Sequence, residues 1–308
     1  MTKSHLNNTH KLQLIIRGFL MVYLVITTMI WAFSFGLIGT TLKGLDPLQI
    51  ADTRLLFALL IFLPFLRLGH TSWQEKWQLT LIGAVQYGVM YTCYISAFRF
   101  LPSHLVALFS VLTPLYIVII NDLRQRSFTP WYLLATILSV FGAAVIKMGN
   151  IDSSEIWLGF GLMQIANMAF AFGQVYYRDW KLARPHISDG SVFGFLYLGA
   201  AIFTTIATVL ISQQPPIPIS ATPTQWFVLV YLGVVASGLG FFFWNKGATQ
   251  TSVGVLAAFN NAVVPLAMFA SLFIFGEAKG GTPQDLVRLI IGSFLIVLAL
   301  MIAKRRAT

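Results

Sequence analysis

The chain has 308 residues, of which 57% are hydrophobic and only 10% are charged, with a mean hydropathy of +0.78. A soluble domain usually carries about a quarter charged residues, so this composition excludes an ordinary water-soluble globular fold. The net charge of +10 raises nucleic-acid binding as a function, but the placement of the basic residues argues against it.

Ten apolar runs follow one another along the chain, each close to the roughly 20 residues that a bilayer-spanning helix needs. Their approximate bounds are 18–41, 48–66, 77–98, 103–121, 130–148, 156–177, 191–212, 225–245, 253–275 and 286–303. Lipid offers no partners for backbone polar groups, so runs of this length predict helices. The sequence therefore predicts an all-α integral membrane protein with ten transmembrane helices.

Basic residues are distributed unequally between the two sets of connections. With the N-terminus placed in the cytoplasm, fourteen Lys and Arg residues lie inside and five lie outside, while Arg54 falls within a run. This is the positive-inside bias of a multi-pass protein, and it predicts that both termini are cytoplasmic. It explains the net charge without a nucleic-acid partner.

A short pattern of small and aromatic residues occurs twice in the chain. A-F-S-F-G at 32–36 and A-F-A-F-G at 169–173 are 137 residues apart. The chain thus reads as two five-helix repeats, residues 1–150 and 151–308. Because five is odd, the second repeat has the opposite orientation in the membrane, as in transporters that work by alternating access.

Two prolines repeat in the same way, Pro114 in the fourth run and Pro265 in the ninth, 151 residues apart. The difference of 14 between the two offsets matches the proline-rich linker 212–225. Each proline removes a backbone hydrogen bond and predicts a helix kink near a central site. A kink that is merely tolerated in packing is the structural alternative.

Several longer motifs carry a resemblance to a known family. They are IWAFSFGLIG (30–39), LPFLR (63–67), GAVQYGVMY (83–91), VLTPLYI (111–117), FLYLGA (195–200), LGVVASGLGFFFWNKGATQ (232–250) and NNAVVP (260–265). With the ten runs, they resemble the EamA-type drug/metabolite transporter superfamily over almost the whole chain. Within it, they look most like bacterial biotin transporters of the carboxylate/amino acid/amine group.

This resemblance implies a secondary transporter of the bacterial inner membrane that imports biotin, or a related carboxylate, by alternating access. An exporter of amino acids or related small metabolites from the same superfamily stays open as the alternative, because one fold serves many cargoes. A monomer and a dimer both stay open, as do proton symport and facilitated uptake. Asp52 or the substrate carboxylate would have to titrate for proton coupling.

Arg54, in the second run, is the first candidate binding residue. A guanidinium keeps its proton and offers forked donors to a carboxylate. Asp52 is two residues away and about 200° around the helix, so Arg54 needs another acceptor, either a neighbouring helix or a substrate anion. The first and sixth runs contain no carboxylate, which favours an anionic or neutral polar substrate over a cationic one.

Amide and aromatic side chains supply further candidates, since the ureido group of biotin needs amide or hydroxyl partners and its bicycle needs flat apolar walls. These candidates are Asn261, Tyr91, Trp31, Asn260, Gln86, Tyr87, Asn167, Trp244 and Asn245. Each has a structural alternative, because Tyr and Trp favour membrane interfaces and Asn and Gln bond helices together.

Signals for catalysis are missing from the sequence. The five histidines show no metal-ligand spacing, and no phosphate-binding glycine loop or serine–histidine cluster occurs. The sequence therefore predicts no enzyme, no metal and no cofactor; the expected partners are a small-molecule substrate and membrane lipid.

Overall fold

The computed structural model describes the backbone of residues 3–126, 153–212, 220–250, 253–277 and 283–306, with a few isolated residues between these segments. Side chains are described from Val22 onward, except at scattered positions that include 251–258 and Asn261. Most of the fifth predicted run, 130–148, lies outside the described residues. Within these segments the ordered structure is entirely helical.

Twelve helices are described, several of them parts of one longer helical rod. In chain order they are α1 (Lys3–Thr40), α2 (Pro47–Phe62), α3 (Trp73–Gly83), α4 (Met90–Ala97), α5 (Ser103–Phe109), α6 (Thr113–Gln125), α7 (Ser153–Leu182), α8 (Phe193–Ala207), α9 (Pro223–Tyr231), α10 (Gly240–Gln250), α11 (Val253–Phe269) and α12 (Pro283–Arg306). Short segments of other helical geometry join or extend these helices.

Six stretches among the described residues are long and apolar enough to cross a membrane. They are Val22–Thr40, Pro47–Phe65, Ser103–Arg124, Glu155–Leu182, Asp189–Ser212 and Pro223–Thr249, and Ala262–Ile274 is a shorter apolar helix. An all-helical membrane protein is thereby confirmed for the described part of the chain. The count of ten spans stays a prediction.

Wider helical turns interrupt the regular helices. π-helical segments Ala84–Val89 and Leu232–Leu239 join α3 to α4 and α9 to α10, and Thr208–Ser212 and Ala270–Ile274 follow α8 and α11. A π turn bonds residues five apart, so it leaves backbone carbonyls available to side chains. The membrane spans therefore contain acceptors that a regular helix would use internally.

The run predicted at 103–121 as one helix is instead divided by a 3₁₀ turn, Ser110–Leu112, between α5 and α6. Pro114 lies in the first turn of α6, where its missing N–H costs nothing. Pro265 lies inside α11. The kinks predicted at both prolines remain predictions.

Helices α3 and α8 cross with their backbones in contact. A Cβ atom on Gly83 would overlap the backbone of Leu196, and one on Gly199 would overlap the backbone of Thr80. Because lipid tails are as apolar as side chains, membrane helices gain attraction mainly from such close approach of small residues. The crossing fixes α8 against α3, and α2 packs on α8.

Polar contacts hold together one end of the helix array, called here the Asp46 end. Asp46 caps α2 by accepting the Leu48 N–H at 2.9 Å, accepts the Ser212 hydroxyl at 2.6 Å and pairs with Arg99 at 2.6 Å. One carboxylate thus ties α2 to the loop after α4 and to the end of the α8 rod.

Glu277 makes a second polar connection at the Asp46 end. It accepts the backbone N–H groups of Ser103 at 3.0 Å and His104 at 3.2 Å, and it contacts Nδ1 of His104 at 2.8 Å. Burial raises the pKa of Glu277, but the hydrogen bonds from His104 and Ser103 outweigh it and hold the pKa below its ordinary value. The carboxylate therefore caps α5 in its charged form.

The opposite end, called here the Arg184 end, has its own ion pairs. Arg184 pairs with Glu75, and Arg124 pairs with Asp179. Hydrogen bonds from the Ser72 backbone N–H and from Arg184 hold the pKa of Glu75 below its ordinary value. These contacts connect α3 and α6 to the end of α7.

Replacing Gly199 by alanine tests the close crossing. We expect Gly199→Ala to lower the free energy of unfolding by about 1–3 kcal/mol, because its methyl group must displace the backbone of Thr80. Gly161→Ala is the matched control, since a Cβ there meets nothing within 4 Å. Thermal unfolding of the purified variants in detergent measures both; equal stability of the two would contradict the crossing.

The Glu277 cap predicts a pH-dependent stability difference. Its folded pKa lies below the ordinary 4.5, so its charged form stabilises the fold fully above that pH and less as the pH falls through the folded pKa. The melting temperature of Glu277→Gln should therefore lie below that of the natural protein at pH 7, with the gap closing below about pH 4. Glu155→Gln, at an exposed position, should show no such gap.

Candidate functional site

A cavity of about 110 Å³ lies between helices α1, α2, α4, α6, α7, α10 and α11. Aromatic rings form much of its wall, and polar groups from several helices reach it. The aromatic residues are Trp31, Tyr91, Tyr94, Phe170 and Phe241, and the polar residues include Arg54, Ser110, Thr113, Asn167 and Asn260. Flat apolar walls with a few polar groups are typical of small-molecule sites.

Arg54 supplies the positive charge of this cavity and is only 2% exposed. Its Nε donates to the Ser237 hydroxyl at 3.2 Å and its Nη2 donates to the Tyr91 hydroxyl at 3.1 Å. Its Nη1 has no hydrogen-bond partner, and no carboxylate among the described residues pairs with it. A buried cation without a counter-charge is costly, so this position favours an incoming anion.

The two residues that accept hydrogen bonds from Arg54 are also hydrogen-bonded to each other. Ser237 donates to a backbone oxygen five residues earlier, Leu232 O, at 2.8 Å. The Ser237 hydroxyl oxygen accepts hydrogen bonds from Arg54 Nε and from the Tyr91 hydroxyl, which lies 2.8 Å away. The Tyr91 ring also stacks under the guanidinium, 4.6 Å from ring centre to Cζ. Nε and Nη2 of Arg54 are therefore both hydrogen-bonded within the protein, whereas Nη1 has no partner.

The π-helical segment Leu232–Leu239 explains why so many side chains converge here. Its freed carbonyl oxygens accept Trp31 Nε1 at Ala236, 2.9 Å away, and the Tyr197 hydroxyl at Ser237, 2.7 Å away. With Arg54, side chains from α1, α2 and α8 are thus anchored on one widened turn.

Asn167 closes the other side of the cavity. Its Nδ2 donates to Phe109 O at 2.8 Å, beside the break between α5 and α6, and its Oδ1 accepts the Thr113 hydroxyl at 3.1 Å. The Asn167 amide therefore joins α7 to the broken helix through one donated and one accepted hydrogen bond.

The predicted binding residues divide into three groups. Arg54, Tyr91, Trp31, Asn167 and Asn260 line the cavity. The side chain of Asn261 lies outside those that the structure describes.

The remaining four are buried behind the wall. Asn245 Nδ2 donates to the Tyr87 hydroxyl at 3.0 Å, and the Trp244 ring packs 4.9 Å from that of Trp31. Gln86 is completely buried against Gly173. These residues support the aromatic wall from behind and do not face the cavity.

Ser237, Ser110 and Thr113 belong to the site but were not singled out from the sequence. A serine or threonine among small apolar residues is ordinarily read as helix packing. Ser237 lies in the long motif at 232–250, from which the sequence predicted Trp244 and Asn245 as binding residues.

Known proteins provide an independent comparison. Residues 18–148 match the EamA-like transporter family. The chain is 38% identical over 286 residues to a protein named probable biotin transporter of Pseudomonas aeruginosa, covering 92% of this chain and 96% of that protein. It is 39% identical over 259 residues to the biotin transporter of Escherichia coli K12, covering 83% and 85%.

A solved crystal structure shares the fold, with a TM-score of 0.63 at 19% identity over 93% of this chain and 97% of the other. The apolar spans define a polytopic membrane protein, and the curated relatives that it resembles over most of its length are named as transporters. The chain belongs to the EamA-like transporter family, which confirms the resemblance noted in the sequence.

The Arg54 network predicts a stability effect at Ser237. Ser237→Ala leaves Arg54 Nε and the Tyr91 hydroxyl short of a partner, so we expect a loss of about 1–3 kcal/mol in the free energy of unfolding. Ser271→Ala is the control, because this buried serine also lies in a π-helical segment but its hydroxyl has no hydrogen-bond partner. Denaturation in detergent compares them; a neutral Ser237→Ala would exclude the network as a stabilising element.

Proposed function

We propose that this protein is a secondary transporter of the bacterial inner membrane that imports biotin by alternating access. The observation that carries the proposal is the buried Arg54 guanidinium, which faces an aromatic cavity with one donor group unpaired. The names of two relatives that are 38% and 39% identical support biotin as the substrate.

The chemistry of biotin matches the cavity group by group. Its carboxylate would accept from Nη1 of Arg54, a charge-assisted bond that needs no change in the existing network. Its bicycle would pack against Trp31 and Phe241, whose rings lie 4.7 Å apart. Its ureido group would face amide and hydroxyl groups such as Asn260 and Thr113. Arg54 would thus bind the carboxylate of biotin, and the aromatic wall would contact its bicycle.

Alternating access would use two inverted five-helix halves, residues 1–150 and 151–308, with ten spans in total. Support comes from the π-helical segments Ala84–Val89 and Leu232–Leu239, which begin 148 residues apart, close to the offset of the repeated prolines. With both termini cytoplasmic, the Asp46 end would face the periplasm and the Arg184 end the cytoplasm.

Polar contacts between the proposed halves occur at both ends. Glu277 binds His104 at the Asp46 end, and Arg184 binds Glu75 at the Arg184 end. Opening toward either side would break one set and leave the other in place. This arrangement suits a carrier, in which only one end opens at a time.

An exporter of amino acids or related metabolites is the competing function. An amino acid would bring its ammonium group into the cavity as well as its carboxylate. The lining residues include no Asp or Glu, so the ammonium group would lack a charged partner. We therefore prefer a substrate whose only charged group is one carboxylate. Transport would release this substrate chemically unchanged.

Uptake of labelled biotin by biotin-requiring cells that lack their own transporter tests the proposal. We expect saturable accumulation that unlabelled biotin competes with and amino acids do not. Arg54→Ala should weaken uptake about 10- to 100-fold, the value of a charge-assisted hydrogen bond to a buried carboxylate.

Lys246→Ala is the matched control, since this basic side chain lies over the Tyr23 ring and outside the cavity lining. It should retain near-normal uptake at equal expression. Equal and near-normal uptake by both variants would exclude Arg54 as the carboxylate site, and no uptake by the natural protein in the membrane would favour the exporter.

A further inference from the structure

Asp52 is a buried carboxyl group that the proposed binding of substrate does not use. It is 0% exposed, although it lies only five residues after the first residue of α2. Thr204 on α8 donates to its Oδ1 at 2.7 Å, and Thr205 donates to Oδ1 at 2.9 Å and to Oδ2 at 3.1 Å. Two neighbouring hydroxyl groups therefore hydrogen-bond to one carboxyl group across the α2–α8 contact.

No opposite charge reaches Asp52 from the described elements that pack most closely on α2. None of the described elements that pack most closely on α2 carries a Lys, Arg, His, Asp or Glu side chain; these are α4, α8, α9 and the segments Leu63–Phe65, Ala84–Val89, Thr208–Ser212 and Leu232–Leu239. The titratable groups on them are Tyr87, Tyr91, Cys93, Tyr94, Tyr197 and Tyr231. Arg54 lies on α2 itself but faces the cavity and forms no salt bridge with Asp52.

The hydrogen bonds around Asp52 can serve both of its protonation states. The Thr204 hydroxyl is also 3.1 Å from Ala200 O and 3.3 Å from Ala201 O in its own helix. When Asp52 is charged, Thr204 and Thr205 donate to it. When Asp52 carries a proton, its hydroxyl can donate to Thr204 Oγ1, which then turns its own hydrogen to the Ala200 carbonyl. Neither state leaves Thr204 without a partner.

Charge balance links this site to the substrate site. With the cavity empty, Arg54 and a charged Asp52 give α2 no net charge. An arriving carboxylate gives α2 and its ligand a net negative charge, and this makes the charged form of Asp52 more costly. A proton on Asp52 removes that cost, so binding of the anion and of the proton favour each other.

Resting on the proposed function, we propose that Asp52 is the proton-binding site of carboxylate uptake, so that one proton enters with each substrate anion. The proton binds a carboxylate oxygen of Asp52 from the outer side and leaves it to water on the inner side. Arg54 stays charged throughout, and no covalent bond forms. Asp52 lies between α2 and α8, one from each proposed half, where movement of the halves would change its access to water.

Proteoliposomes that contain the full chain test this proposal. One proton with one biotin anion is electroneutral, so a gradient of 1.5 pH units, acid outside, should support about 30-fold accumulation of labelled biotin. A potassium-diffusion potential should have no effect, and a protonophore should abolish the accumulation. Protein-free liposomes correct for diffusion of the neutral acid.

Asp52→Asn imitates the neutral side chain permanently. We expect this variant to lose the response to the pH gradient while keeping biotin exchange without a gradient within about threefold of the natural protein. Thr205→Val is a second variant, which keeps Asp52 and removes one donor to its charged form. It should shift the pH of half-maximal uptake upward, because the charged form loses a hydrogen bond.

The outcomes separate this proposal from the proposed function. Failure of the natural protein to exchange biotin would overturn the proposed function, biotin transport. Exchange that is indifferent to the pH gradient, or that responds to a sodium gradient instead, would overturn the proton site and leave biotin transport intact. A preserved gradient response in Asp52→Asn would overturn the role of this residue.

Discussion

The structure around the cavity depends on one buried charge that has no counter-charge within the described part of the chain. Arg54 could be tolerated in this environment only because hydroxyl groups and an aromatic face replace the water that it has lost. These groups belong to Ser237 and Tyr91, which lie on two different helical segments. The need to solvate one guanidinium therefore constrains how α2, α4 and the α9–α10 rod are placed relative to one another.

The same constraint explains why Arg54 and Asn167 have different roles in the site. Arg54 is held rigidly by Ser237 and Tyr91, so its one unpaired nitrogen points in a set direction before any substrate arrives. Preorganisation of this kind lowers the entropy cost of binding, because the side chain is already ordered. The amide of Asn167, by contrast, already donates to Phe109 O and accepts from Thr113, so it joins α7 to the broken α5–α6 rod and shapes the cavity.

The helical membrane fold followed directly from the sequence, because long apolar runs leave the backbone no alternative in lipid. Arg54 was also readable, since a charge inside an apolar run is too costly to be incidental. Sequence alone did not separate Tyr91, which lines the cavity, from Tyr87, four residues earlier and behind the wall. In a regular helix those positions share a face, and the irregular turn Ala84–Val89 between α3 and α4 alters that relation.

Ser237 was unreadable for a related reason. Its importance comes from the π-helical segment Leu232–Leu239, and the composition of that segment does not distinguish it from an ordinary small-residue helix face. The segment acts as a rotational coupling. Tightening it to a regular helix would turn α10 by about 100° relative to α9, one residue's worth of rotation, and would carry Phe241 away from Trp31. The aromatic wall and the acceptors of the arginine can therefore be assembled or dismantled together by a change in a single turn.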